Sequence, residues 1–248
     1  MVRQHVGDRR PRDDAVSGGS ADAEALLRRV RTVLLDFDGP VCSIFAGYPA
    51  PDVTVELAAI AAAAGHPVPE EYLRNQDPLD IFRFAGTVGP ELTAVIERDL
   101  TAAELKAAET AEATPGAGDF LAACRSTGRV VAVVSNNSAA AVTKYLDRVG
   151  WTDLVHLVEG RDPSDPALMK PHPHVLLRTL ADLTAPAEFA VIVGDSVTDI
   201  EAGLAADIWT LGYANKVGKG EAMRDAGADV VLSSMFHLAV ATGRTPRS

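Results

Sequence analysis

Four short apolar runs punctuate the chain without the polar and apolar alternation of a strand that faces water on one side: "TVLL" at 32–35, "VVAVV" at 130–134, "FAVIV" at 189–193 and "DVVL" at 229–232. Helix-like segments separate them, and β-branched residues are frequent in them. Such runs read as parallel strands covered on both faces. The order predicts an α/β fold built on a doubly wound parallel sheet.

Between Pro49 and Pro115 the pattern changes to alanine-rich helical periodicity. "PDVTVELAAIAAAAG" has a start signal at Asp52 and a stop at Gly65; "DPLDIFRFAG" and "GPELTAVIERDL" follow, and "TAAE" at 101–104 has the form of a capping box opening another helix. An all-helical insertion directly after the first strand reads as a cap over a crevice. On this reading residues 1–29 are an N-terminal tail, 30–45 and 114–241 the α/β core, 46–113 the helical cap and 242–248 a C-terminal tail.

Parallel strands align their C-terminal ends, and open α/β sheets bind ligands in the crevice outside those ends. Asp36, Asp38, Ser135, Asn136 and Asp195 all follow predicted strands and are expected to converge there. Adding Asp199 from "GDSVTD" makes four carboxylates in one crevice. Two unit charges about 4 Å apart repel by about 4 kcal/mol at an effective dielectric near 20, so a cation or a proton must relieve the cluster. Hard oxygen donors that leave room for water and a phosphate suit Mg²⁺.

Composition narrows the partners. A net charge of −11 argues against nucleic acid and against an anionic membrane surface, which select basic proteins. Two cysteines, Cys42 and Cys124, are too few for a disulfide framework and point to a reducing cytoplasm. The first twenty residues have no apolar stretch of the kind that exports a chain.

Asp36-Phe37-Asp38-Gly39, Ser135-Asn136, Lys170-Pro171-His172-Pro173 and Gly194-Asp195-Ser196-Val197-Thr198-Asp199 resemble, in order and spacing, the four motifs of the haloacid dehalogenase superfamily. "VGDSVTDIEAGLAADIWTLGYANK" is most similar to its phosphoglycolate-phosphatase-like branch, which carries a helical cap on a Rossmann-like core. The resemblance implies a phosphatase acting on a small phosphorylated metabolite. Asp36 would be the nucleophile that forms an aspartyl-phosphate, and Asp38 the acid and then the base. Mg²⁺ would take Asp36, the main-chain carbonyl of Asp38 and Asp195, with Asp199 fixing a metal-bound water or the lysine. Ser135, Asn136 and the Phe37 and Asp38 amides would hold phosphoryl oxygens, and Lys170 would offset their charge. Asp38 also favours a phosphoester over a halide, because a departing halide needs no proton.

Two other readings share these residues: a phosphomutase acting on a sugar phosphate, and a binding module without turnover. Plainer roles are that Ser135 and Asn136 cap the following helix and that Lys170 is a solvated surface lysine. Pro40 replaces the threonine usual after this motif, which bears on loop geometry. His172 and His174, flanked by prolines, read as peripheral rather than as a metal pair. "GYANKVGKGE" reads as a loop near the site and Cys42 as a packing residue. Phe45, Tyr48, Arg74, Asn75 and Arg83 are the candidates for substrate contacts from the cap and its approach.

Overall fold

The computed structural model describes residues 19–244. Eight strands form: β1 (Thr32–Leu35), β2 (Cys42–Ser43), β3 (Glu112–Ala113), β4 (Val130–Val134), β5 (Leu157–Glu159), β6 (Ala190–Gly194), β7 (Trp209–Tyr213) and β8 (Val230–Leu232). Six make one all-parallel sheet in the order β5-β4-β1-β6-β7-β8. Successive residues of a strand point to opposite faces. Val33, Leu35, Val131, Val133, Val191 and Val193 therefore enter one buried cluster, while Leu34, Ala132, Val134 and Ile192 enter another.

Helices α1 (Ser20–Leu27), α6 (Ala117–Ser126), α7 (Ala139–Val149) and α11 (Met235–Gly243) cover the first face. Helices α8 (His174–Asp182) and α9 (Val197–Ala205) cover the second, and α10 (Lys219–Asp225) packs a smaller cluster beside β8. The sheet is doubly wound, as its uninterrupted apolar strands require.

The remaining helices, α2 (Ala50–Ala63), α3 (Glu70–Leu73), α4 (Pro78–Val88) and α5 (Pro90–Ala107), lie between β2 and β3. They bury a core of their own, including Val53, Leu57, Ile81, Phe82, Leu92, Ile96 and Leu100. The chain enters and leaves this helical unit through the antiparallel pair β2–β3, with Cys42 opposite Ala113. Phe45 and Tyr48 pack against both this core and that of the sheet. Met169, from the loop after β5, enters the helical core.

Several elements differ from the sequence reading. Residues 20–27 fold as α1 rather than continuing the tail, because Ala23, Leu26 and Leu27 share a buried face. The C-terminal helix runs to Gly243, past the expected boundary. The rest of both tails, 1–18 and 245–248, lies outside the described residues. Helix α2 starts at Ala50, with Asp52 in its first turn. "TAAE" opens no helix: α5 runs through it unbroken, and the Thr101 hydroxyl donates to Glu97 Oε1 instead of capping. Strands β5 and β7 add to the four expected runs. Among the described residues, no helix is long and apolar enough to cross a membrane.

Candidate active site

Strands β4, β1 and β6 are neighbours, so the residues after their C-terminal ends, Ser135, Asp36 and Asp195, lie side by side. Asp36 extends the ladder, its amide donating to the Val193 carbonyl at 2.8 Å. Two glycines let the carboxylates crowd together. A Cβ on Gly39, at φ +108, would come within 2.6 Å of Asp195 Oδ2, and one on Gly194 would collide with Asp199.

Lys170 is buried in the centre of the site. Its Nζ donates to Asp36 Oδ1 at 2.6 Å, to Asp199 Oδ1 at 2.7 Å and to the Val134 carbonyl at 3.3 Å. Burial alone would lower the lysine pKa, but the carboxylates of Asp199 and Asp36 outweigh it and hold the ammonium charged. Burial raises Asp36 well above the usual carboxylate range, and Asp199 adds to that, against the opposing pull of Lys170. Negative charge remains in excess of what one ammonium offsets. Lys170 is therefore no solvated surface lysine.

Asp199 is fully buried and both its oxygens are engaged. Oδ1 faces Lys170, while Oδ2 accepts from the Ser196 amide at 3.0 Å and the Ser196 hydroxyl at 2.6 Å, closing the capping box of α9. Asp195 is half-buried; its Oδ2 accepts from Lys219 Nζ at 2.5 Å and Asn215 Nδ2 at 2.9 Å. Asp38 opens to solvent in the cleft, with protein packed closely around the carboxyl. That crowding pushes its pKa up to about 6, opposed by the Ile44 amide that donates to Oδ1 at 3.0 Å. Asp195 and Asp77 raise it further and Lys219 lowers it. Asp77 caps the N-terminus of α4, which brings the helical unit electrostatically to the cleft.

Asp36, Asp195 and Asp199 each offer an oxygen, all within 4.8 Å of one another. Hard anionic donors with surplus negative charge fit a divalent cation of the Mg²⁺ type. The Asp38 carboxylate is outside that cluster, so a ligand role for Asp38 rests on its main-chain carbonyl.

Ser135 and Asn136 do not cap α7, which Ser138 does through its own side chain. The Ser135 hydroxyl is buried, donates to Asn137 Oδ1 at 3.1 Å and accepts from the Asn137 amide at 3.0 Å. Asn136 uses its side chain on Lys170: Oδ1 accepts from the Lys170 amide at 2.8 Å and Nδ2 donates to its carbonyl at 3.2 Å. Phe37 is buried edge-on to Tyr145 at 5.3 Å, so only its main chain is available to a ligand. The turn containing Pro40 closes without a donor there, through Gly39 N to Cys42 O at 2.7 Å and the Thr114 hydroxyl to Gly39 O at 2.5 Å.

The cap candidates divide. Phe45 and Tyr48 sit where the two cores meet, Tyr48 donating to Glu56 Oε2 at 2.7 Å. Arg74 and Asn75 are exposed, and Asn75 and Arg83 both bond Asp80 rather than the carboxylate cluster. His172 is exposed, and its Nδ1 accepts from the His174 amide. Burial, with Asp38 and Asp36 nearby, pushes the Cys42 thiol pKa up, which leaves it an unreactive packing group.

Sequence reading missed Lys219, Arg161 and Glu104. Lys219 was legible only as part of a basic loop. Glu104 had a signal: an acid four residues after Leu100, on the buried stripe of α5.

The chain matches the profile of the haloacid dehalogenase-like hydrolase family over residues 30–207. It is 31% identical to a phosphoglycolate phosphatase of Xylella fastidiosa over 182 residues, 71% of this chain and 76% of that protein. A phosphoglycolate phosphatase of Pectobacterium atrosepticum is 28% identical over 213 residues, 84% of this chain and 90% of that one. In fold it is similar to CbbY from Rhodobacter sphaeroides, crystallised with phosphate, at a TM-score of 0.63 and 21% identity, covering 84% of this chain and 96% of that one. With a match over most of its length and a relative at that identity, the chain belongs to the haloacid dehalogenase-like hydrolase family.

Proposed function

We infer that the protein is a Mg²⁺-dependent phosphatase that hydrolyses a small phosphomonoester through an aspartyl-phosphate on Asp36. The observation that carries this reading is one ammonium, Lys170 Nζ, held 2.6 Å from Asp36 and 2.7 Å from Asp199 at the C-terminal edge of a parallel sheet. A carboxylate so placed attacks phosphorus, and a fixed positive charge beside it stabilises the transferring group.

Lys170 holds Asp36 Oδ1, which leaves Oδ2 as the attacking atom. As the O–P bond to Asp36 forms and the ester O–P bond breaks, the Asp38 carboxyl gives its proton to the departing alkoxide. A pKa of about 6 keeps a usable protonated fraction near neutrality. The Asp38 carboxylate then takes a proton from water, which attacks the acyl phosphate and frees inorganic phosphate and Asp36. Ser135 and the main chain at Phe37, Asp38 and Asn136 orient the phosphoryl oxygens, and Asp199 keeps the lysine aimed. Asp36, Asp195 and the Asp38 carbonyl would hold the divalent cation, which supplies charge neutralisation for the phosphoryl group.

The helical unit, as a cap, would exclude water and choose the leaving group. The names of the curated relatives make phosphoglycolate the first substrate to try. The test is a panel of phosphorylated metabolites assayed for free phosphate with Mg²⁺ and with EDTA. Release that requires the cation and is lost in Asp36→Asn is the expected result. Isomerised product without free phosphate, or turnover unchanged by EDTA, would overturn the reading.

A further inference from the structure

Behind the phosphate-binding turn lies a second charged cluster, away from the carboxylates. The Arg161 side chain and the Glu104 side chain are both fully buried, with Arg161 Nη1 2.6 Å from Glu104 Oε1. Arg161 follows β5 in the sheet core, whereas Glu104 is on α5 of the helical unit. Arg161 Nε also donates to Glu97 Oε2 at 2.6 Å and Nη2 to the Thr101 hydroxyl at 3.0 Å, so a single guanidinium grips two turns of α5.

A buried ion pair stabilises a fold little compared with apolar residues of the same volume. This pair spends its remaining hydrogen bonds on one segment. Glu104 Oε1 accepts from Asn137 Nδ2 at 3.0 Å, and Oε2 accepts from the Ser138 amide at 2.9 Å. Arg161 Nη1 donates to the Asn136 carbonyl at 3.1 Å, and the Arg161 amide donates to the Asn137 carbonyl at 3.1 Å. Gly160 permits the approach, since a Cβ there would lie 2.7 Å from that Asn137 oxygen. Beyond this segment are the groups assigned to the phosphoryl transfer. Asn137 brackets the Ser135 hydroxyl, and Asn136 clamps the main chain of Lys170.

We propose that Arg161 and Glu104 are positioning residues, a buried pair that sets Ser135 and Lys170 in register with Asp36 and uses helix α5 as the fixed support of the phosphate-binding turn. The role rests on the phosphatase reading above. It also makes the α5 side of the helical unit its anchored side, so that any opening of the cleft pivots there.

The experiment compares the full-length wild type with Arg161→Met, Glu104→Gln and the double variant. It reads melting temperature, kcat, KM and the inhibition constant of inorganic phosphate at saturating Mg²⁺. Arg161→Met leaves a buried carboxylate unpaired and loses stability. In the double variant the buried Glu104 charge is removed as well; only Glu97, 13% exposed, keeps a charge without its partner, and the melting temperature recovers most of the loss. Its kcat stays about 100-fold down, as expected of reacting groups displaced by about 1 Å, and phosphate inhibits about tenfold more weakly. A pair that only docked the two units would return kcat and the phosphate constant to within about threefold of wild type along with stability, which would overturn the proposal.

Should the double variant not fold, Glu104→Gln decides alone. Its one amide oxygen cannot serve both Ser138 N and Asn137 Nδ2, and a kcat within about threefold of wild type sinks the positioning role. A wild type that neither hydrolyses phosphomonoesters nor binds phosphate overturns the phosphatase reading first and this role with it.

Discussion

Gly194 closes β6 beside the first turn of α9, and replacing it with alanine tests whether the carboxylate cluster works only in its present geometry. The added methyl would sit more than about 1 Å inside ordinary contact with Asp199 Cβ and Cγ. Because Cβ itself is struck, no rotamer of Asp199 escapes; the start of α9 must move by about 1 Å. Asp199 then releases Lys170, now 2.7 Å away, and the lysine loses the partner that aims it at Asp36. A displacement of about 1 Å at reacting groups costs about 100-fold in rate, or about 2.7 kcal/mol of barrier. Overpacking lowers stability by about 1–3 kcal/mol as well. Steady-state kinetics at saturating Mg²⁺ measures the first effect and thermal melting the second. Gly118→Ala is the control: its Cβ would lie 2.7 Å from Trp151 Cζ2, on the far helical layer, so it should destabilise while kcat holds. A Gly194→Ala enzyme with kcat/KM within about threefold of wild type would mean that Lys170 does not need Asp199 in its present place.

Three further outcomes follow from the same geometry. Lys219→Ala removes the ammonium that holds Asp195 Oδ2; this partly exposed pair is worth at most about 1 kcal/mol, so half-activating Mg²⁺ should fall by up to about fivefold, read from a metal titration of activity. Asp38→Asn should abolish turnover yet raise the melting temperature of the metal-free protein at about pH 8. The folded pKa of Asp38 is raised to about 6, so the folded state binds the extra proton, and stability is lost as pH rises through that value; the gain of the variant should vanish toward about pH 4. Ser135→Ala should raise the inhibition constant of phosphate more than about tenfold and lower stability by about 1–3 kcal/mol in thermal melting, because the buried Asn137 amide and Oδ1 lose the hydroxyl that partners them.

The sheet was readable wherever a strand is buried on both faces. β1, β4, β6 and β8 show as unbroken apolar runs, and the motif residues at their ends follow from the parallel order. β5 escaped because its three residues are only half-buried and end in Glu159, and β7 because Thr210 and Gly212 interrupt its apolar pattern. Gly212 is there for packing, as a Cβ would meet Met223 Sδ at 2.6 Å. The capping pattern at 101–104 misled because Thr101 and Glu104 turn toward Arg161, a partner sixty residues away that no local pattern announces. Phe45, Tyr48, Arg74, Asn75 and Arg83 follow from a place between core and cap, whereas the partners they take, Glu56 for Tyr48 and Asp80 for Asn75 and Arg83, are set by packing that sequence position does not encode. Asp77, an acid of the helical unit that raises the Asp38 pKa, shows in the sequence only as the first residue of "DPLDIFRFAG".

The whole reaction turns on a covalent bond between Asp36 and phosphorus. Acid quench of the wild-type enzyme during steady turnover of the best substrate, followed by peptide mass analysis, tests it most directly. A phosphoryl group on the peptide containing Asp36, absent from Asp36→Asn, is the expected result. Turnover with no phosphorylated peptide at any quench time, or with the label on another residue, would contradict it.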